Sequence, residues 1–245
     1  MKAMIFAAGY GKRLKPLTDK KPKALIEVAG KPMLHWVVEK LVNNGFKQII
    51  INVHHHSAMM KDAIKSLPFV AEFIISDEQD CLLDTGGGLL KARQFLEGSE
   101  PFLLHNVDVI SNVNLKELFS LHKQQGGIAT LATSKRKSSR YFLWHKNKLA
   151  GWINTNSNKK ILVQKTDVPL EKKAFSGIQV VSPKIFDHIK DKGKFSINKV
   201  YLDIAKEKNI FSFDHDPKYW FDLGNVEKIK DAENLITKNH NIFVQ

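Results

Sequence analysis

Between Lys2 and Thr133, short apolar runs alternate with segments of helical spacing, and this alternation restricts the fold more than any other feature. Lys2–Ala8 reads as a buried strand ending at Gly9. Pro32–Asn44 places Leu34, Val37, Val38, Leu41 and Val42 on one helical face, and Gly45 is a fitting stop. Lys47–Val53 is a β-branched run and reads as a strand. Ser57–Ser66 reads as a helix with Ser57 as N-cap. Strand Glu72–Ile75, helix Gly88–Leu96, strand Phe102–His105, helix Leu115–Gln125 and strand Ile128–Thr133 continue the series. Such a series predicts an α/β chain with a Rossmann-like, mainly parallel sheet flanked by helices. Ligands of these sheets sit beyond the carboxyl ends of the strands. Gly9–Lys12 and Asn106–Asp108 both follow a strand in that position.

The second half reads differently. Phe142–Trp144, Ala150–Asn154 and Ile161–Lys165 have the look of short antiparallel strands with polar turns. Phe175–Val181 is a further strand, Pro183–Ile189 and Ile197–Glu207 are helical, and Asn225–Ile236 is a terminal helix with Asn225 as N-cap. No repeat or low-complexity linker divides the chain. The expectation is a single domain over 1–245, whose second half, 134–245, covers the substrate side of the first, 1–133. The apolar runs are too short to cross a membrane, and no basic leader region frames residues 1–8, so a cytoplasmic protein is expected. The one cysteine, Cys81, makes neither an internal disulfide nor a zinc site.

The formal charge is +13, with lysines scattered along the whole chain. No arginine-rich arm or aromatic platform motif accompanies them, so no nucleic-acid partner is expected. The same field attracts phosphorylated small molecules. The opening loop suits such a ligand. Gly9 and Gly11 let backbone N–H groups come close to it, Arg13 offers a fork of donors, and Lys23 adds a second cation behind Pro22. The loop is neither a Walker loop nor a dinucleotide fingerprint, since Leu14 stands where the latter needs glycine. On spacing alone, a phosphate loop and a plain glycine turn remain open.

The run Ala8-Gly9-Tyr10-Gly11-Lys12-Arg13-Leu14-Lys15-Pro16-Leu17-Thr18, then Pro22-Lys23 and Glu27-Val28, resembles the signature of the sugar-1-phosphate nucleotidyltransferases. Lys12 replaces the usual Thr and Glu27 the usual Pro. The resemblance spans nearly the whole chain and implies the nucleotide-diphospho-sugar transferase fold, GT-A-like, with a small antiparallel sugar-side region. It implies nucleotidyl transfer from an NTP to a sugar 1-phosphate with Mg²⁺ as cofactor. In that scheme Arg13, Lys23 and Asp108 are catalytic. Ala7, Ala8, Gly9, Gly11, Lys12, Arg13, Thr85, Gly86 and Gly87 bind the nucleotide, and Lys23, Asn106 and Gly177 meet the sugar phosphate. Asp108, in "LLHNVDVI", and Asp222, in "YWFDLGN", hold the metal. Val107 stands where the family has Gly.

The segment "DTGGG", Asp84–Gly88, most resembles the short branch that includes N-acetylmuramate-1-phosphate uridylyltransferase, which makes UTP and N-acetylmuramate 1-phosphate the leading pair and a cell-wall role the implication. Guanylyl transfer to mannose or heptose 1-phosphate, cytidylyl transfer to a phosphorylated alcohol, and a non-catalytic sensor of nucleotide sugars stay open. Gly177, within "FSGI", is open between a core strand and a sugar contact. The histidines of "HHHS", His54–His56, alternate in direction and do not converge on one ion. Lys135–Lys137 with Arg140 is a basic cluster open to an acidic sugar, with a solvated turn the favoured reading. A monomer is expected, with a homodimer as the alternative.

Overall fold

The computed structural model describes residues 1–78, 80–163 and 167–245. Strands β1 (Lys2–Phe6), β4 (Gln48–Val53), β5 (Glu72–Asp77), β6 (Phe102–Asn106), β8 (Ala129–Ser134), β9 (Arg140–His145), β10 (Lys148–Asn154), β11 (Lys159–Leu162), β12 (Glu171–Val181) and β13 (Ile210–Asp214) form one sheet. Two-stranded ribbons stand apart from it: β2 (Glu27–Val28) with β3 (Lys31–Pro32), and β7 (Val109–Ser111) with β14 (Trp220–Asp222). The helices are α1 (Leu17–Lys20), α2 (Met33–Asn43), α3 (Ser57–Lys65), α4 (Asp84–Lys91), α5 (Arg93–Leu96), α6 (Leu115–Gln125), α7 (Ile197–Ile204), α8 (Val226–Lys238) and α9 (His240–Val244).

The sheet order is β11-β10-β13-β8-β12-β6-β1-β4-β5, with β9 joined to β10 and β12. β6, β1, β4 and β5 run parallel, and β12 enters antiparallel between β6 and β8. This is the α/β sheet flanked by helices that the alternation predicts. The antiparallel strands of the second half are not a separate layer, because they continue the same sheet. β13, parallel to β8, is one of the strands that bind them to it.

Alternation along the parallel strands sends side chains into two cores. Ala3 and Ile5 of β1, Ile49 and Ile51 of β4 and Leu103 of β6 pack with α2, α3 and α6. Met4, Ile50, Phe102 and Leu104 point the other way and pack with α4, α5 and α7. A third cluster joins Leu14 of the opening loop and Trp36 of α2 to Leu223, to Ile229 and Ile236 of α8 and to Phe243 of α9. The last helices therefore clamp the outside of the opening loop. Buried Lys40 adds to this clamp: its Nζ donates to the Ser111 carbonyl (2.9 Å) and the Gln245 carbonyl (3.1 Å), and burial pushes its pKa down to about 8.

Several boundaries differ from the sequence reading. β1 ends at Phe6, so Ala7 and Ala8 already belong to the loop. His56, at φ 53°, is the residue before α3, and Ser57 is its first helical residue, without a capping bond. Pro183–His188 winds as a 3₁₀ helix. The expected strand Ile161–Lys165 is represented by β11, and residues 164 and 165 lie outside the described set. Asn225 does cap α8, its side chain accepting from Lys228 N–H at 2.9 Å.

His122 of α6 is buried against the Thr130 hydroxyl (3.0 Å), and burial lowers its pKa to about 4. The unfolded chain therefore binds a proton that the folded chain refuses between pH 6.5 and about 4. Stability is expected to fall as pH drops through that window, by up to about 1.4 kcal/mol per pH unit from this group. Calorimetric unfolding at stepped pH should show a shallower fall in His122→Gln than in the unaltered chain.

Candidate active site

A cavity of about 370 Å³ opens at the carboxyl ends of β1, β4 and β6, where the parallel topology places a ligand. It is lined by the loop Ala7–Gly9, by Lys23, by Asn52 and Glu78, by Leu82, Asp84 and Thr85, by Asn106–Asp108 and by Lys194. Seven residues expected from the sequence meet there: Ala7, Ala8, Gly9, Lys23, Thr85, Asn106 and Asp108.

The opening loop is shaped by its own sequence. Gly11 adopts φ +62°, a left-handed conformation, and a Cβ on it would stand 2.7 Å from Thr18 Cγ2. The Thr18 hydroxyl donates to the Gly11 carbonyl at 3.1 Å. The glycine and the threonine of the motif thus fit each other. The next turn, Lys12–Leu14, is 3₁₀, with Leu14 buried and Lys12 and Arg13 exposed. Lys12 lies 5.7 Å from the Tyr10 ring centroid. Tyr10 in turn meets His54, whose Nδ1–H donates to the Glu78 carbonyl (2.7 Å) and whose Nε2 faces the Tyr10 hydroxyl (3.0 Å). The histidine run therefore braces the loop, and among the described residues no group of three or more His, Cys, Asp or Glu side chains is arranged for a metal.

Lys23 and Asp108 form an ion pair at the edge of the cavity. Asp108 lies in the turn between β6 and β7. Asp222 lies on β14 opposite Val109, and the Leu223 N–H donates to the Asp108 carbonyl at 2.8 Å. This ribbon brings Asp222 of β14 alongside the turn that holds Asp108, 114 residues earlier in the chain. Arg13 approaches from the loop: a Cβ on Gly224 would stand 2.6 Å from Arg13 Nη2 and 2.8 Å from Asp222 Oδ1. Burial pushes the Asp222 carboxyl up, but the hydrogen bond from Lys228 (3.1 Å) and the charges of Lys228, Lys23 and Arg13 outweigh it and hold the pKa below its ordinary value. Asp222 is thus an anion set among cations. Two hard oxygen donors held by Lys23 and Lys228 fit a hydrated Mg²⁺, which takes one or two carboxylates at phosphoryl-transfer sites. Beneath them, burial lowers the pKa of His105 to about 4, so its ring is neutral near pH 7.

Gly86 and Gly87 do not take the places expected of them. Helix α4 begins at Asp84, so all three glycines lie inside it. The N–H groups of Gly86 and Gly87 donate to the Phe195 carbonyl at 2.9 and 3.3 Å, and neither residue lines the cavity. The amides that the helix start leaves unpaired are therefore consumed by protein, not offered to a nucleotide. The glycines serve packing: a Cβ on Gly86 would overlap the Phe195 ring, one on Gly87 the Gly193 carbonyl, and one on Gly88 would stand 2.6 Å from Glu78 Oε1. Gly177 is likewise a packing glycine. It sits at φ +76° in a bulge of β12, and a Cβ there would stand 2.9 Å from Asn106 Nδ2. The bulge lets Asn106, not Gly177, line the cavity.

Four contributors were not read from the sequence. Asn52, on β4, accepts from Ala7 N–H (2.7 Å) and donates to buried Glu78 (2.7 Å), whose other oxygen accepts from Leu83 N–H (2.9 Å). This relay ties the opening loop to the segment leading into α4. Asn52→Leu is expected to destabilise the fold by roughly 1–3 kcal/mol, because it orphans a buried amide and a buried carboxylate together; urea unfolding checks it. Lys194 is the third contributor. Arg136 is the fourth, from a turn that reads as solvated. It stacks 3.7 Å from the Trp220 ring centroid and donates to the Phe175 carbonyl (2.7 Å), while Trp220 Nε1 donates to the Ser176 carbonyl (2.9 Å). Arg136 and Trp220 thereby fasten β14, which carries Asp222, to the bulge of β12.

A profile of the nucleotidyl transferase family matches residues 2–239. The chain belongs to that family. It is 31% identical over 228 residues to probable mannose-1-phosphate guanylyltransferase 2 of Oryza sativa subsp. japonica, covering 91% of this chain and 61% of the relative. The catalytic subunit beta of mannose-1-phosphate guanylyltransferase from Xenopus tropicalis gives the same identity and coverage. The chain thus spans about three-fifths of the length of these relatives. Among solved structures, a putative glucose-1-phosphate thymidylyltransferase from Bacillus anthracis superposes with a TM-score of 0.79 at 20% identity, covering 97% of this chain and 95% of that one. Among the described residues, no helix is long and apolar enough to cross a membrane.

Proposed function

We propose that the protein transfers a nucleotidyl group from an NTP to a sugar 1-phosphate, releasing pyrophosphate. The observation that carries this reading is the meeting of Ala7–Gly9, Lys23, Asn106 and Asp108 around one cavity at the strand ends, with Arg13 and Asp222 together beside Gly224 next to the Asp108 backbone. An oxygen of the acceptor phosphate attacks the α-phosphorus of the NTP. A new P–O bond forms, the bond to the β-phosphate oxygen breaks, and its electron pair leaves with pyrophosphate. The nucleophile is already an anion, so no strong general base is needed, and the work is charge neutralisation and in-line placement. The loop from Ala7 to Gly11 cradles the nucleotide, Arg13 holds the departing phosphates, and Lys23 meets the α-phosphate. Asp108 and Asp222 are the residues that would hold Mg²⁺, which when bound offsets the repulsion between the two anionic substrates.

The base favoured is guanine, with mannose 1-phosphate as acceptor, because the curated relatives cited above are guanylyltransferases of that sugar. Uridylyl transfer to N-acetylmuramate 1-phosphate rested on the Thr-Gly-Gly-Gly segment. Its glycines pack against Phe195, Gly193 and Glu78, so they support no choice of base. Pyrophosphate release with Mg²⁺, measured for GTP, UTP, CTP, ATP and dTTP against mannose, heptose, glucose and N-acetylmuramate 1-phosphates, is the test. Turnover with GTP and mannose 1-phosphate is the expected result. Preference for UTP and N-acetylmuramate 1-phosphate would overturn the guanylyl assignment, and tight nucleotide-sugar binding without turnover would favour a sensor.

A further inference from the structure

Lys194 lines the cavity but belongs to none of the motifs around it. It reaches the cavity from the α7 side of the sheet, whereas Lys12, Arg13 and Lys23 come from the opening loop and the segment that follows it. Its backbone is fixed. The Phe195 N–H donates to the Leu83 carbonyl (3.1 Å), the Phe195 carbonyl accepts from Gly86 and Gly87, and the Ile197 N–H donates to the Thr85 hydroxyl (3.1 Å). Gly193, at φ +71°, makes the turn that presents Lys194 while its carbonyl lies against Gly87. The side chain is exposed, and no hydrogen bond or ion pair engages it among the described residues. Here a tightly held backbone delivers an uncommitted cation to the wall of a substrate cavity.

The charges at the site show what this cation is for. Two anionic substrates must share the cavity, and each needs its own compensation. Lys23 is already paired with Asp108, and Arg13 stands beside Asp222. Lys12 lies by the Tyr10 ring on the nucleotide loop. Of the two lysines among the described residues that line the cavity, Lys23 has a carboxylate partner and Lys194 has none. We propose that Lys194 binds the phosphate of the acceptor sugar phosphate, setting the affinity for that substrate. The proposal rests on the nucleotidyl-transfer reading of the same site.

Two measurements test it. In steady-state assays, Lys194→Ala should raise KM for mannose 1-phosphate ten- to a hundredfold while KM for GTP stays within twofold, roughly the loss of one charged contact. Lys194→Arg should recover most of the affinity and Lys194→Glu should be worse than alanine. Thermal unfolding should be unchanged, since the side chain is exposed and the backbone bonds remain. An unchanged acceptor KM in Lys194→Ala, or an equal rise in KM for GTP, would overturn the proposal. The second measurement needs no turnover: calorimetric binding of mannose 1-phosphate should weaken in Lys194→Ala by the same factor. Equal affinity, or no binding by the unaltered chain, would sink the assignment. Binding that depends on Lys194 without any turnover would instead sink the enzymatic reading and leave the phosphate site standing.

Discussion

Asp108→Asn lowers pyrophosphate release at least about a hundredfold, a loss of about 2.7 kcal/mol of transition-state stabilisation. The substitution keeps the shape of the side chain and removes one charge. The backbone link that matters locally, Leu223 N–H to the residue 108 carbonyl, does not involve the side chain, so the β7–β14 ribbon and Asp222 stay in place. Lys23 loses its charged partner but keeps the amide oxygen as an acceptor, and because its side chain is only 11% exposed the cost to stability is roughly 1–3 kcal/mol. The charge of Asp222 still acts on the same neighbourhood. Turnover should therefore collapse in a folded protein, and circular dichroism with a thermal scan alongside the assay separates the two effects. Activity within threefold of the unaltered enzyme would remove Asp108 from the reacting machinery. Arg13→Ala is a companion that removes one of the three cations around Asp222 and leaves Lys228 and Lys23 to hold that carboxylate ionised.

Much of this site is written in short stretches of the chain. Gly9, Gly11, Arg13, Thr18 and Lys23 lie within fifteen residues, and the fit of Gly11 to Thr18 is a local matter. Asp108 follows a strand whose apolar run is plain, and Asp222 is marked by its aromatic neighbours. The residues that escaped are those whose partners come from far along the chain. Asn52 looks like one polar residue at the end of a strand until Ala7 and Glu78 are brought to it. Lys194 looks like one lysine among several in "KDKGK" until Phe195 docks on α4. The segment Asp84–Gly88 misled for the same reason: three glycines at a helix start suggest backbone open to a ligand, but Phe195 and Gly193, over a hundred residues later, fill that space. β13 was missed because it is buried between β8 and β10, so Ile210, Phe211, Ser212 and Phe213 are all buried and show no alternation with solvent. Arg136 shows the converse, a charged residue in a basic turn whose aromatic partner, Trp220, lies in another part of the chain.

Gly87→Ala tests whether the glycine segment is a packing device or a ligand cradle. The added methyl would overlap the Gly193 carbonyl and stand 2.9 Å from Leu83 Cβ, and a backbone oxygen cannot swing away as a side chain can. Either α4 or the 193–195 segment must shift, which strains the bonds from Gly86 and Gly87 to Phe195. Overpacking of this kind costs roughly 1–3 kcal/mol, and this site belongs at the upper end. For a chain of this size the melting temperature should fall by roughly 5–10 °C. Displacement of the segment also moves Lys194, so KM for the acceptor should rise although Lys194 itself is untouched. Gly9→Ala supplies the contrast: a Cβ there meets nothing within 4 Å, yet Gly9 lines the cavity. Stability should then change by no more than about 0.5 kcal/mol, while nucleotide affinity falls because the methyl occupies ligand space. If Gly87→Ala instead left the melting temperature unchanged and weakened only the nucleotide, the glycines would face the ligand after all, and the packing role assigned to them would be wrong.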